Sequence, residues 1–251
     1  MIKRDVQARY RGSMLGMLWT FVTPLLMLAV YTFFFTTIFK ARWQPITGAQ
    51  QDITSFALIL FSGLILHAFF AECLNRATTV IVSQANFVKK IMFPLHVLPL
   101  VTIGGGAFHF LISFLVLLLG YTFLYGMPHI TLLMLPVVMM PLMLMIMGMS
   151  WFIASLGVYV RDLSHLVGLL MMVLMFLSPI FYPLSILPDT LRPWFYLNPL
   201  TIPIEAFRAV ALYGEMPNCF LLMSYFTASV VCAVIGYYWF QKTKKGFADI
   251  L

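Results

Sequence analysis

Charge is what this sequence has least of. Asp, Glu, Lys and Arg make up 9% of its 251 residues, where a soluble domain carries roughly 25%. Residues 91–160 contain none at all. That absence excludes a water-soluble domain, and the apolar content excludes disorder. Cysteine is scarce as well. Cys73, Cys219 and Cys232 form no CxxC pair and are odd in number, which favours apolar-packed thiols over a disulfide framework. The recurring signatures of chemistry are missing too. Gly104, Gly105 and Gly106 are not followed by the Lys-Ser/Thr of a phosphate-binding loop. They suit close helix packing or a kink. His67, His96, His109, His129 and His165 lack metal-ligand spacing, and no carboxylates pair within an apolar run. Glu72 falls at the end of one, within reach of interfacial water. A chain without a local energy source or acid–base pair reads as a conduit rather than an engine.

What is present is apolar surface, 62% of the residues. It comes in blocks of 20 or more, whereas a membrane β-barrel alternates in segments of about 10. One crossing of a ~30 Å hydrocarbon core takes about 20 apolar residues. The blocks predict an all-α polytopic membrane protein with six transmembrane helices. The spans fall at 18–39, 53–71, 98–125, 130–158, 163–181 and 218–240. Gly126 and Pro128 divide the uncharged block. The first span is too long for a cleavable signal peptide and lacks a small-residue cleavage site.

Three segments stand apart from the spans. In residues 1–17, Ile2, Val6, Tyr10 and Met14 form one apolar stripe among basic residues, the pattern of an amphipathic interfacial helix. An ordinary basic flank remains the alternative. Gly12 and Gly16 fit either a close helix contact or a flexible joint. The polar connection after the second span carries Val80, Phe87 and Ile91 on one side. Ser83, Asn86 and Lys90 lie on another. It suits a docking element for a soluble partner or a plain amphipathic loop. Residues 183–217 hold six of the 14 prolines, too broken to span and too apolar for a free loop. They predict a re-entrant helical hairpin before the last span, since broken backbone at depth must be surrounded by protein or a cavity.

Lys and Arg set the orientation. Eleven lie on the side of the termini and four on the other, counting Arg192 and Arg208 among the latter. The positive-inside rule then places both termini in the cytoplasm. The net charge of +7 encodes topology, so no nucleic-acid partner is needed to explain it. The first span is dense in rings, among them Trp19, Tyr31 and Phe35. Interfacial belts and packing explain them from composition alone; a pore lined by flat apolar faces is the alternative.

An ordered set of residues carries a resemblance. Arg4-Asp5-Val6-Gln7-Ala8-Arg9-Tyr10-Arg11-Gly12-Ser13 is followed by Leu15-Gly16, Trp19 and Pro24. Next come Phe39-Lys40-Ala41-Arg42-Trp43 and Asn86-Phe87-Val88-Lys89-Lys90-Ile91-Met92-Phe93-Pro94. Arg161-Asp162, Ser178-Pro179-Ile180-Phe181-Tyr182-Pro183 and Asn198-Pro199 close the set. Over nearly the whole chain this resembles type-2 ABC exporter permeases for bacterial surface polysaccharides, in the O-antigen (lipopolysaccharide) branch. The opening is shorter than usual there, which predicts that some residues of the interfacial helix are absent.

The resemblance implies a single permease domain over 1–251 in the bacterial inner membrane. It implies a homodimer with two copies of a separate ATP-binding cassette subunit. The chain itself would carry no cofactor, with ATP and Mg in the partner. The cargo would be polysaccharide on undecaprenyl diphosphate, moved from cytoplasm to periplasm. Residues 76–93 become the ATPase-coupling segment, with Ser83, Gln84, Asn86, Phe87, Lys89 and Lys90 as its contact residues. Lys3, Arg4, Arg9 and Arg11 become candidates to dock the lipid diphosphate, since Arg forks match phosphate oxygens, and Trp19 to admit it. Tyr31 and Phe35 lie within about 40° of each other on the helix, and Trp19 about 120° from Tyr31. The first two would line a glycan conduit. The hairpin would be a periplasmic gate, with Trp194, Tyr196, Glu205 and Arg208. Two competitors stay open. One is a permease of the same fold for capsule, teichoic acid or a drug. The other is an integral membrane glycosyl- or acyltransferase, for which the sequence offers no acid, base or donor site.

Overall fold

Proline and helix length decide where the apolar runs begin and end. The computed structural model describes residues 16–33, 53–84 and 94–250. Helix α1 (Trp19–Phe33) follows a 3-10 turn, Gly16–Leu18. Then come α2 (Ile53–Ala77), α3 (Val97–Tyr125), α4 (Leu135–Tyr159) and α5 (Leu163–Leu177). Two short helices follow, α6 (Arg192–Phe195) and α7 (Thr201–Arg208), the second continuing as a π-helical turn, Ala209–Tyr213. The chain closes with α8 (Cys219–Thr243) and one last turn, α9 (Phe247–Ile250). The described residues are all-helical, without strands. Most of the interfacial helix expected over 1–17, the end of the first span after Phe33, and the coupling segment after Gln84 lie outside them.

Among the described residues, four stretches are long and apolar enough to cross a membrane: Phe56–Ala77, Val97–Tyr125, Ile130–Tyr159 and Cys219–Gly246. Helix α5 and the described part of α1 are apolar but have 15 residues each. That is about 22 Å, less than a ~30 Å hydrocarbon core. For α5 the sequence predicts a span reaching 181. It stops at Leu177 because Ser178 is extended, with φ −92° and ψ 152°, and Pro179 disfavours helical geometry in its predecessor. Helix α2 departs in the other direction. It runs past the expected end at 71 because Cys73, Leu74 and Ala77 continue its fully buried face. Glu72, Asn75 and Arg76 therefore belong to the helix and not to a polar loop.

Helix α2 is the centre of the bundle. Of its apolar stretch 78% is buried, compared with 33% for α3 and for α4 and 22% for α8. In lipid, burying a leucine gains no transfer from water, so close contact and satisfied polar groups must hold helices together. Small residues supply the contact. An added Cβ at Gly106 would sit 2.7 Å from Cys73 Sγ, so this glycine packs α3 on α2 rather than kinking it. Helices α4 and α8 touch through backbone. A Cβ at Gly148 would lie 2.5 Å from the Cys232 carbonyl, and one at Gly236 would collide with the Gly148 carbonyl. Along α8 the buried face reads Tyr225, Ser229, Ala233, Gly236, Phe240, one residue per turn.

The proline-rich connection is partly swallowed by the bundle. Pro193 sits in the first turn of α6, Pro203 in that of α7, where a missing N–H costs little. Helix α7 and its π turn are buried on nearly every side. Phe207 packs edge-on against Phe110 and Phe114 of α3, at 6.2 and 5.8 Å between ring centres. Gly214, at φ +69°, ends the turn in the left-handed conformation. Asn218 then caps α8, its side chain accepting from the Leu221 N–H at 3.2 Å.

Candidate functional site

Arg208 sits at the junction of α7 with the rest of the bundle, and only 1% of its surface is exposed. Its fork is nearly saturated. Nε donates to the Ile59 carbonyl at 3.3 Å and to Ser62 Oγ at 3.2 Å. Nη2 donates to the Ile59 carbonyl at 3.1 Å and the Ile180 carbonyl at 3.3 Å. Nη1 donates to the Pro179 carbonyl at 2.6 Å and to Glu205 Oε1 at 3.3 Å. Burial pulls the guanidinium below its usual range, and the Glu205 carboxylate opposes that. Room for the fork is made by Gly63, where an added Cβ would lie 2.9 Å from Nη2. The unwound backbone after α5 leaves carbonyls without helical partners, and Arg208 supplies donors to two of them. One side chain therefore ties α7 to α2 and to the end of α5. The sequence counts Arg208 among the cations of the non-cytoplasmic side and in the expected gate; the structure makes it a buried staple. Removing it from the loop count sharpens the charge asymmetry between the two sides.

Of the four residues expected in a gate, Glu205 and Arg208 are brought together. Trp194 and Tyr196 are not. They belong to α6 and its end, with Trp194 69% exposed. This outer part is held by Arg192, which pairs with Asp189 at 2.9 Å and donates to the Leu184 and Ser185 carbonyls.

Tyr31 lines a cleft of about 270 Å³ between α1 and α2, together with Thr23, Leu64, His67 and Ser113. His67 also links α2 to α5, its Nε2 lying 2.9 Å from the Met171 carbonyl. The cleft is therefore walled by α1 and backed by a polar link to α5. Trp19 stands at the first residue of α1, partly exposed, away from the Tyr31 cleft. Phe35 lies outside the described residues, as do Lys3, Arg4, Arg9 and Arg11.

Ser83 and Gln84 form a 3-10 turn, Val82–Gln84, just past α2. Ser83 Oγ donates to the Val80 carbonyl at 3.3 Å, and Val80 and Ile81 are buried beneath the turn. The polar side faces outward on an apolar footing. Asn86, Phe87, Lys89 and Lys90 lie outside the described residues.

Sequence reasoning missed one intramembrane pair. His109 Nδ1 of α3 lies 3.0 Å from Glu72 Oε2 of α2. The signal was available: ionisable groups inside spans seek one another. Ending α2 at 71 hid it, since Glu72 then appeared to face the interface. Among the described residues no group of three His, Cys, Asp or Glu is placed to hold a metal ion.

Comparison with known proteins gives a consistent picture. A family model described as ABC-2 type transporter matches residues 1–212. A Klebsiella pneumoniae protein named O-antigen export system permease protein RfbA is 28% identical over 250 residues, 99% of this chain and 92% of that protein. A Myxococcus xanthus protein of the same name is 32% identical over 121 residues, 48% of this chain and 43% of that protein. A second Klebsiella pneumoniae protein so named is 29% identical over 124 residues, 49% of this chain and 44% of that protein. The last two matches thus cover less than half of the relative, while the first runs nearly end to end.

Proposed function

The chain belongs to the ABC-2 type transporter family, and on that premise we propose that it is the membrane subunit of an ATP-driven exporter of O-antigen polysaccharide. It is a transporter subunit and not an enzyme. The observation that carries the substrate is the nearly end-to-end similarity to a protein named as an O-antigen export permease. The permease works as a homodimer in the bacterial inner membrane, with two ATP-binding cassette subunits that hold ATP and Mg on the cytoplasmic side. The cargo is glycan carried on undecaprenyl diphosphate.

The parts take these roles. Lys3, Arg4, Arg9 and Arg11 dock the diphosphate at the cytoplasmic leaflet, and Trp19 flanks the way in. Tyr31, with Phe35, offers flat rings on which sugar C–H faces stack. Stacking is tolerant of register, which a chain moving unit by unit requires. Residues 183–217 form the periplasmic gate. Arg208, paired with Glu205 on the same helix, holds that inner helix to α2 and to the end of α5, while Trp194 and Tyr196 sit on the outer part. Residues 76–93 receive the push of the ATP-binding subunit.

Two results are expected. The first concerns topology. Six crossings place the tail in the cytoplasm and the loop near Gly48 in the periplasm. Reporter fusions at Leu251 and at Gly48 should read cytoplasmic and periplasmic in turn. A periplasmic tail would overturn the six-span arrangement.

The second concerns coupling. Phe87→Ala or Lys90→Glu should weaken recruitment of the ATP-binding subunit or uncouple hydrolysis from export, with membrane insertion unchanged. The subunit copurified on the tagged permease, and its rate of ATP hydrolysis, measure this. Stoichiometric copurification with normal export in both variants would remove the docking role from this segment.

A further inference from the structure

The chain leaving α2 and the chain entering α3 are docked on the same helix, α4. Just past α2, the Thr78 carbonyl packs directly on Gly157, where any added Cβ would collide with it. Thr78 itself is buried. Where α3 begins, Trp151 Nε1 donates to the His96 carbonyl at 2.9 Å. The Trp151 ring meets Tyr237 of α8 edge to face at 5.0 Å, and Tyr237 meets the His96 ring at 5.9 Å. Trp151 and Gly157 are about 9 Å apart along α4 and about a third of a turn apart around it. Two attachments so placed grip the helix against both sliding and rotation. Helix α4 is in turn fixed to α8. Gly148 and Gly236 are in backbone contact. Ser155 Oγ and Thr243 Oγ1 lie 2.6 Å apart, and the Tyr159 hydroxyl donates to the Thr243 carbonyl at 3.0 Å.

We propose that α4 and α8 move as one body under the coupling segment, and that Trp151 is the positioning residue that ties the start of α3, three residues beyond the segment, to it. This rests on the reading of residues 76–93 as the ATPase-coupling segment. The alternative path is covalent continuity alone, from the segment into α2 and α3. A tryptophan inside an apolar span needs a partner for its N–H. Here that partner is the carbonyl of the residue at which α3 begins, so movement of His96 is movement of α4.

Trp151→Phe keeps an aromatic ring against Tyr237 but deletes the donor, along with part of the ring volume. The test uses the permease copurified with its ATP-binding subunit. ATP hydrolysis, surface O-antigen in the producing cells and the melting temperature of the complex are measured for the wild type, W151F and K90E. The expected result for W151F is stoichiometric assembly and a melting temperature near that of the wild type. Glycan exported per ATP hydrolysed should fall by roughly three- to ten-fold, the range that one lost hydrogen bond supports. Gly157→Ala, which pushes Thr78 off α4, should lower the same ratio. A residue that only stabilises the bundle would lower melting, hydrolysis and export together and leave the ratio unchanged. That result, or a wild-type ratio in W151F, overturns the proposal while an impaired K90E leaves the coupling reading standing. If K90E also matches the wild type, the coupling reading fails and the role of α4 fails with it.

Discussion

Arg208→Met should unseat α7 and abolish export. The substitution keeps an unbranched apolar stem but removes all six donated hydrogen bonds. Left behind are the carbonyls of Ile59, Pro179 and Ile180 and the Ser62 hydroxyl, around a cavity shaped for a guanidinium. Leaving a buried acceptor without its donor costs about 1–3 kcal/mol. The thermal transition of the detergent-solubilised protein should fall accordingly. Glu205→Gln provides the contrast. Its side chain is 44% exposed and meets Arg208 at 3.3 Å, so the ion pair is screened and contributes little, about 1 kcal/mol or less. Arg208→Lys should lie between, because an ammonium cannot reach carbonyls on both α2 and the end of α5. If Glu205→Gln is as damaging as Arg208→Met, the ion pair holds the hairpin and the carbonyls do not.

The Tyr31→Leu, Phe35→Leu double variant should lose export while keeping assembly. Leucine preserves apolar bulk and removes the flat face. Ring stacking of bases is worth about 1–3 kcal/mol per contact, and a sugar face on Tyr31 is placed in the same range by analogy. A loss of that size lowers surface glycan roughly five- to 150-fold if stacking limits passage. Copurification of the ATP-binding subunit and the melting temperature are read alongside. Unchanged export in a stable double variant would make these rings packing residues. The cleft wall formed by Tyr31 with His67 and Ser113 would then be a structural seam.

The sequence carried the element list well and the long-range polar contacts poorly. Blocks of apolar residues and the Gly126–Pro128 break locate α3 and α4 closely, because backbone satisfaction inside lipid leaves little but helix. The proline cluster after Pro183 foretells short broken helices for the same reason. The stop at Leu177 was legible in Ser178-Pro179 and was outweighed by the hydropathy of Ile180 and Phe181. The role of Arg208 was not legible. Its partners come from residues 59, 62, 179 and 180, and nothing local distinguishes a stapling arginine from a loop cation. Trp151 is similar: its partner is a backbone carbonyl at residue 96, invisible to any pattern of side chains. The Glu72–His109 pair lay between these cases. An antiparallel α2–α3 hairpin brings the two together once α2 is given its full length to Ala77.

The most direct measurement is restoration of surface O-antigen. A strain that makes lipid-linked O-antigen but lacks its permease would receive this chain with its cognate ATP-binding subunit. The predicted result is O-antigen at the cell surface, lost when the subunit's Walker A lysine is replaced although both proteins remain in the membrane as a complex. A correctly inserted, assembled complex that leaves the lipid-linked glycan on the cytoplasmic leaflet would contradict export of O-antigen as its function.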